Sequence, residues 1–244
     1  REWVSDHRVY EDIVCPGAAI LEMVCAASLQ VSSVSLRSTS QSIHIEGFTI
    51  LAPMRVKDVL QETGLASVFY CTVDDDNNIE VFIKSATEDI LCARGDVMLM
   101  QLSSAEPLWD DIDKSGLIVK SNCTVKVDCE QLYSNLSNTG LHYGPTFRLV
   151  ETCFMSDKFC WCALSVGANN LRDKYLLPPP LLDAMLQCSA VLVAEQMKLQ
   201  GIYFKSAVVP YAFDDVWVRH SISHEIWDSN SCNCAVELIQ SSSD

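Results

Sequence analysis

Basic residues are scarce in this chain of 244: 17 Lys and Arg stand against 32 Asp and Glu, a net charge of −15. A nucleic-acid surface needs clustered Lys and Arg to neutralise phosphates, and no such cluster is present. Glycine and proline are also few, at nine and eight, which excludes collagen-like and low-complexity chains. No run of 18 apolar residues occurs, because Glu22, Asp183 and Gln187 interrupt the longest ones. A membrane-spanning helix is therefore not expected. CxxC pairs, Gly-rich phosphate loops, dinucleotide fingerprints and Ser nucleophile elbows are all missing. The N-terminus has neither Met nor a signal-peptide profile, so a segment of a longer, cytoplasmic polypeptide is expected.

What is present is a large apolar content, 49% of residues, enough to bury a substantial core in one large domain or two small ones. Twelve Cys fall below the density of a disulfide scaffold, roughly 8–10%. Buried free thiols of a reducing compartment are the expected role. Cys160 and Cys162, like Cys232 and Cys234, have the i, i+2 spacing that puts two sulfurs on one strand face. A metal site would draw on His220, His224, Cys232 and Cys234, but this is not a usual zinc spacing, and no metal is expected. The sequons at Asn122 and Asn135 carry no weight without a secretory signal.

Residues 16–29 predict a buried helix opened by Pro16. Strand-like runs follow at 41–52, 65–73, 78–85 and 91–101, with a turn at Asp74–Asn78. Ser103 to Ser115, polar and containing Pro107, reads as a linker. A strand near 117–127, a short helix near 129–138 and strands near 149–155 and 159–166 come next. A second apolar helix spans about 180–197, and strands near 206–218 and 232–240 close the chain. Residues 1–105 carry 7 basic and 15 acidic side chains, and residues 106–244 carry 10 and 17. The order predicts an α+β chain of two similar halves, 1–105 and 116–244, joined by 103–115, each a helix wrapped by antiparallel strands.

His7 and Asp183 stand out among the titratable residues. The alternation around His44 puts it on a solvent-facing strand side, His142 precedes a turn, and His220 and His224 flank a polar loop. His7 instead leads into the first buried helix. Asp183 sits among Leu, Ala and Met, where desolvation should raise its pKa toward that of a general acid. Gln187, at i+4, shares its helix face. A base and a carboxylic acid across a pocket are the apparatus for eliminating water: one takes the α-proton and the other protonates the departing hydroxyl. Amides at a helix N-terminus would hold the carbonyl oxygen as it gains charge.

The sequence resembles the dehydratase domains of modular polyketide synthases and animal-type fatty acid synthases. His7 to Gly17, followed by Leu21-Glu22-Met23, is similar to the HxxxGxxxxP motif, and Asp183 to Gln187 to the DxxxQ motif. Tyr143 to Phe147 resembles YGPxF, and Val209 to Phe213 and Ala93-Arg94-Gly95 resemble further segments of that family in its order. The resemblance implies a double hotdog fold and dehydration of a (3R)-3-hydroxyacyl thioester on the phosphopantetheine arm of an acyl carrier protein, giving a trans-2-enoyl thioester. It implies His7 as base and Asp183 as acid, with Tyr143, Gly144, Gln187, Pro16, Gly17 and, at the place of the motif's Gly, Glu11 supporting the site and no cofactor. Neighbouring synthase domains are the implied partners, and pairing into a homodimer is compatible with it.

Two departures stand out. Glu11 replaces the motif's Gly, where it would turn to solvent or crowd the pocket, and Pro178-Pro179-Pro180 covers the place of a His common before the Asp helix. Double-bond isomerisation, pyran-forming cyclisation and a degenerate scaffold role are the alternatives, the last resting on Glu11. Arg172 and Lys174 are the candidate basic patch for an acidic carrier.

Overall fold

The computed structural model describes residues 3–32, 41–56, 68–84, 87–165, 175–219 and 231–238. Strands β1 (His7–Val9) and β2 (Asp12–Ile13) lead into helix α1 (Gly17–Val31). Strands β3 (Gln41–Ile50), β4 (Phe69–Val73), β5 (Asn78–Ile83) and β6 (Ile90–Gln101) follow, then helix α2 (Leu102–Asn122). The rest comprises β7 (Val125–Val127), α3 (Cys129–Asn138), β8 (Leu141–Tyr143), β9 (Val150–Met155), β10 (Phe159–Ser165), α4 (Pro179–Leu199), β11 (Ala212–Arg219) and β12 (Ser231–Glu237).

Two central helices each lie against an antiparallel sheet. Helix α1 packs on the five-stranded sheet β11-β3-β6-β5-β4, and α4 on the four-stranded sheet β12-β10-β9-β7. Pro16 sits at the N-cap of α1 in extended conformation, and its carbonyl accepts the Ala19 and Ile20 amides. One core gathers Ile20, Val24, Ile43, Phe48, Val81 and Val97, and the other Leu132, Cys162, Leu164, Leu181, Cys188 and Leu192. The predicted turn between β4 and β5 forms as Asp74 Oδ1 accepts the Asp76 and Asn78 amides, each at 2.9 Å.

The two halves are not closed in sequence order. Strand β11, late in the chain, pairs with β3, with Val218 opposite Ile43. The small sheet β2-β1-β8 joins strands of both halves, with His7 opposite Tyr143. Helices α1 and α4 also touch directly, so the ground between the halves is built by both.

Three expectations need correction. The segment 103–115, expected as a linker, is helical, and residues 117–122 are not strand: both belong to the 21-residue helix α2. Pro107 removes one backbone N–H near the helix start, a loss offset by burial of Ala105, Trp109 and Val119 along one stripe. Trp109 Nε1 donates to Ser42 Oγ at 3.4 Å, so α2 lies on the first sheet while also contacting β10 and β12. His44 is buried rather than solvent-facing. Its ring stacks on Trp217 at 4.0 Å and its Nε2 meets Asp215 Oδ1, 171 residues away, at 2.7 Å, both partners supplied by strand β11.

The cysteines are free thiols, seven of them buried. The sulfurs of Cys153, Cys160 and Cys162 lie within 4.8 Å of one another on the inner face of the second sheet. Their side chains belong to the core behind α4 rather than to the cavity described below. His220 and His224, the other half of the candidate metal set, lie outside the described residues, as do Arg172 and Lys174.

Candidate active site

His7 reaches the interface between the halves because β1 is pinned on both sides, to β2 and to β8. The residue is buried, its ring edge-on to Tyr143 at 5.5 Å and tilted on Phe147 at 5.3 Å. Its Nδ1 lies 2.8 Å from the Val14 carbonyl oxygen. A carbonyl only accepts, so Nδ1 carries a proton and Nε2 is the nitrogen turned toward Asp183.

Facing it, Asp183 projects from the second turn of α4, with Oδ1 at 3.9 Å from His7 Nε2. Its side chain is 8% exposed. Burial raises its pKa above the ordinary carboxylate range, against the opposing pull of His7, Gln187 and the Tyr143 hydroxyl. Gln187 donates through Nε2 to Asp183 Oδ2 at 2.9 Å and to the Phe147 carbonyl at 3.2 Å. Its Oε1 accepts from Tyr133 Oη at 3.2 Å, and Tyr133 in turn accepts the Val150 amide. Every polar atom of the Gln187 side chain is thereby assigned, which fixes the amide with its nitrogen toward the carboxyl. Burial and the Asp183 charge hold the Tyr143 hydroxyl well above its ordinary pKa, so it donates to Asp183 as a neutral phenol.

Gly144 acts by its size. A Cβ there would fall 2.4 Å from Asp6 Cγ. The close approach lets the Gly144 amide donate to the Asp6 carbonyl at 2.7 Å, while Asp6 Oδ2 accepts from the Thr146 amide and hydroxyl. The turn that carries Tyr143 and Phe147 is thus stapled to the residue before His7.

His7, Tyr143, Asp183, Gln187, Pro16 and Gly17 line a single cavity of about 460 Å³, largely apolar beyond them. Gly144 lies one residue outside the lining and supports it. Glu11 does not join them: its side chain is exposed and absent from the cavity wall. The left-handed conformation of the β1–β2 turn falls on Tyr10, φ 54°, and not on Glu11, so position 11 has no need of glycine. Tyr133, Phe147 and the Asp6–Thr146 staple were not anticipated. Tyr133 is an unremarkable tyrosine on a short helix, and only its distance to Gln187 reveals its part.

The chain matches two family sequence profiles, one described as polyketide synthase dehydratase N-terminal domain over residues 114–242 and one as polyketide synthase dehydratase domain over residues 1–85. It belongs to the polyketide synthase dehydratase family. The highly reducing polyketide synthase phiA of a fungal species is 24% identical over 253 residues, covering 93% of this chain and 10% of that protein. The chain thus spans about a tenth of that relative's length. Among solved structures, the dehydratase domain of RzxB from Pseudomonas fluorescens superposes with a TM-score of 0.72 at 15% identity, covering 100% of this chain and 81% of that one. Two inactive mutants of the CurK dehydratase are similar as well. The histidine-to-phenylalanine form has a TM-score of 0.67 at 17% identity, covering 98% and 77%. The aspartate-to-asparagine form has 0.65 at 18%, covering 87% and 72%. The fold of this dehydratase-family chain is the α+β double hotdog.

Proposed function

We propose that this domain removes water from a (3R)-3-hydroxyacyl thioester, delivered on the phosphopantetheine arm of an acyl carrier protein, to give the trans-2-enoyl thioester. The observation that carries the reading is the buried His7–Asp183 pair, 3.9 Å apart, the ring oriented by the Val14 carbonyl and the carboxyl by Gln187. His7 Nε2 takes the α-proton. Asp183, whose protonated form is favoured by burial, delivers its proton to the β-hydroxyl as the C–O bond breaks and the double bond forms. The proton on His7 then returns to the Asp183 carboxylate, and water leaves. No group outside the chain is needed for this balance.

Gly17, the first residue of α1, lies at the positive end of that helix, and its amide suits the thioester oxygen as charge builds there. Gln187 and Tyr143 hold the Asp183 carboxyl in place. Loss of activity in a related dehydratase on replacing one His or one Asp agrees with such a pair. The scaffold reading required Glu11 between His7 and Asp183, and its exposed side chain removes that support. The carrier and neighbouring synthase domains are the partners this reading requires, within one cytoplasmic polypeptide.

Incubation with a 3-hydroxyacyl carrier substrate, read by mass spectrometry, tests the reading. The wild type should lose one water from the acyl group, and His7→Ala should lose it roughly 10²- to 10⁴-fold more slowly. Equal rates for the two, or no loss in the wild type, would sink the assignment.

A further inference from the structure

Glu22 is a buried carboxylate with no part in the chemistry above. It lies in α1, 5% exposed, in the core of the first half. Its Oε1 accepts the Leu176 amide at 2.6 Å and its Oε2 the Leu177 amide at 2.9 Å. These two amides belong to the segment that runs directly into α4. Both carboxyl oxygens are therefore spent on one short stretch of backbone more than 150 residues away in sequence.

The stretch is mechanically joined to Asp183. Leu176, Leu177 and Leu182 pack on the core of the first half, whereas Leu181 packs on that of the second. Between them Pro178, Pro179 and Pro180 restrict the backbone, and the Pro178 carbonyl accepts the Leu181 and Leu182 amides to start the helix. A shift at Leu177 thus passes along a stiff six-residue path to the Asp183 Cα. On the other side, α1 starts three residues after Val14, whose carbonyl orients His7. Glu22 joins the element that follows the His7 anchor to the element that bears Asp183. A smaller second tie lies beside it, from Trp3 Nε1 to Tyr175 Oη at 3.1 Å.

We propose that Glu22 is a positioning residue for the dehydration, holding the lead-in to α4 so that Asp183 stands opposite His7 at reacting distance. The proposal rests on the dehydratase reading of that pair. Isolated buried carboxylates are destabilising, and burial pushes this one up to about 7 despite the two amide bonds. An amide side chain would fill the same space without a charge, but it offers one acceptor and turns its NH2 against the second backbone amide.

Glu22→Gln and Trp3→Phe, assayed with a small 3-hydroxyacyl thioester near pH 7.5, give the test. Glu22→Gln should stay folded, with kcat down about 10- to 100-fold and KM within about threefold, since substrate-binding walls are untouched and only the acid is displaced. Trp3→Phe keeps the ring packing, loses the tie to Tyr175, and should lower kcat about two- to fivefold at unchanged KM. A Glu22→Gln enzyme with kcat within twofold of wild type overturns the proposal, as does one whose loss lies wholly in KM. If that variant does not fold, Trp3→Phe decides alone, and an unchanged kcat overturns the proposal. An inactive wild type would instead defeat the dehydratase reading on which the proposal stands.

Discussion

At the scale of single residues, the site depends on side chains whose partners fix their orientation. His7 is tied through Nδ1, so its reactive nitrogen faces Asp183. The acid must hold a proton to act, so the rate falls as pH rises through the pKa of Asp183. Tyr143 is one of the partners that lower that pKa. Tyr143→Phe should therefore shift the descending limb of the kcat–pH profile to higher pH, at a lower maximum, as a bell-shaped profile measured against wild type will register. Glu22 carries a second pH dependence, this one in stability. Its folded pKa is raised from 4.5 to about 7. The stability it contributes is thus complete below about 4.5 and is lost as pH rises through about 7, roughly 3 kcal/mol in all. Thermal unfolding of wild type should weaken between pH 5.5 and 8.5 more than that of Glu22→Gln, and equal slopes would refute the assignment.

Elements carried some of this plainly and hid the rest. Helices α1 and α4 are legible because apolar residues cover nearly their whole surface, and α3 because Asp128 caps it through the Glu130 and Gln131 amides. Helix α2 is not legible: its buried stripe is only Ala105, Trp109 and Val119, hidden within a polar, proline-bearing stretch. The test of that stripe is Trp109→Ala, which removes a side chain 8% exposed. Unfolding measurements should show a loss of about 3–5 kcal/mol, with the kcat of any folded protein near wild type, because α2 lies outside the cavity wall. His44 escaped for a related reason, since period-two alternation cannot reveal that a strand from the far end of the chain will cover the outer face with Trp217. Motif residues fared better than their neighbours. His7, Asp183 and Gln187 converge as their motifs imply, whereas Glu11 does not enter the site, and Tyr133 enters it unannounced by any motif.

For the whole molecule, the net charge of −15 bears on delivery of the substrate. A carrier protein that is itself acidic meets repulsion at low ionic strength, and joining the two in one polypeptide would overcome it by raising effective concentration. Raising salt from about 0.05 to about 0.5 M shortens the screening distance from roughly 14 to 4 Å. It should increase kcat/KM for substrate on a free carrier and leave that for a small thioester unchanged. A fall with salt would point instead to a basic docking patch that outweighs the overall charge. Sheet exchange through β11 and β1–β8 makes the halves one unit, so the pair at their interface survives only while both are folded.

Proton transfer between solvent and the α-carbon tests the central claim most directly. In deuterated water, the enoyl thioester can be hydrated in reverse, and the deuterium at Cα of the 3-hydroxyacyl product counted. The account predicts one deuterium per turnover in wild type, delivered by His7, and a rate lower by about 10²- to 10⁴-fold in His7→Ala and in Asp183→Asn. Deuterium entering at the wild-type rate in either variant would contradict it.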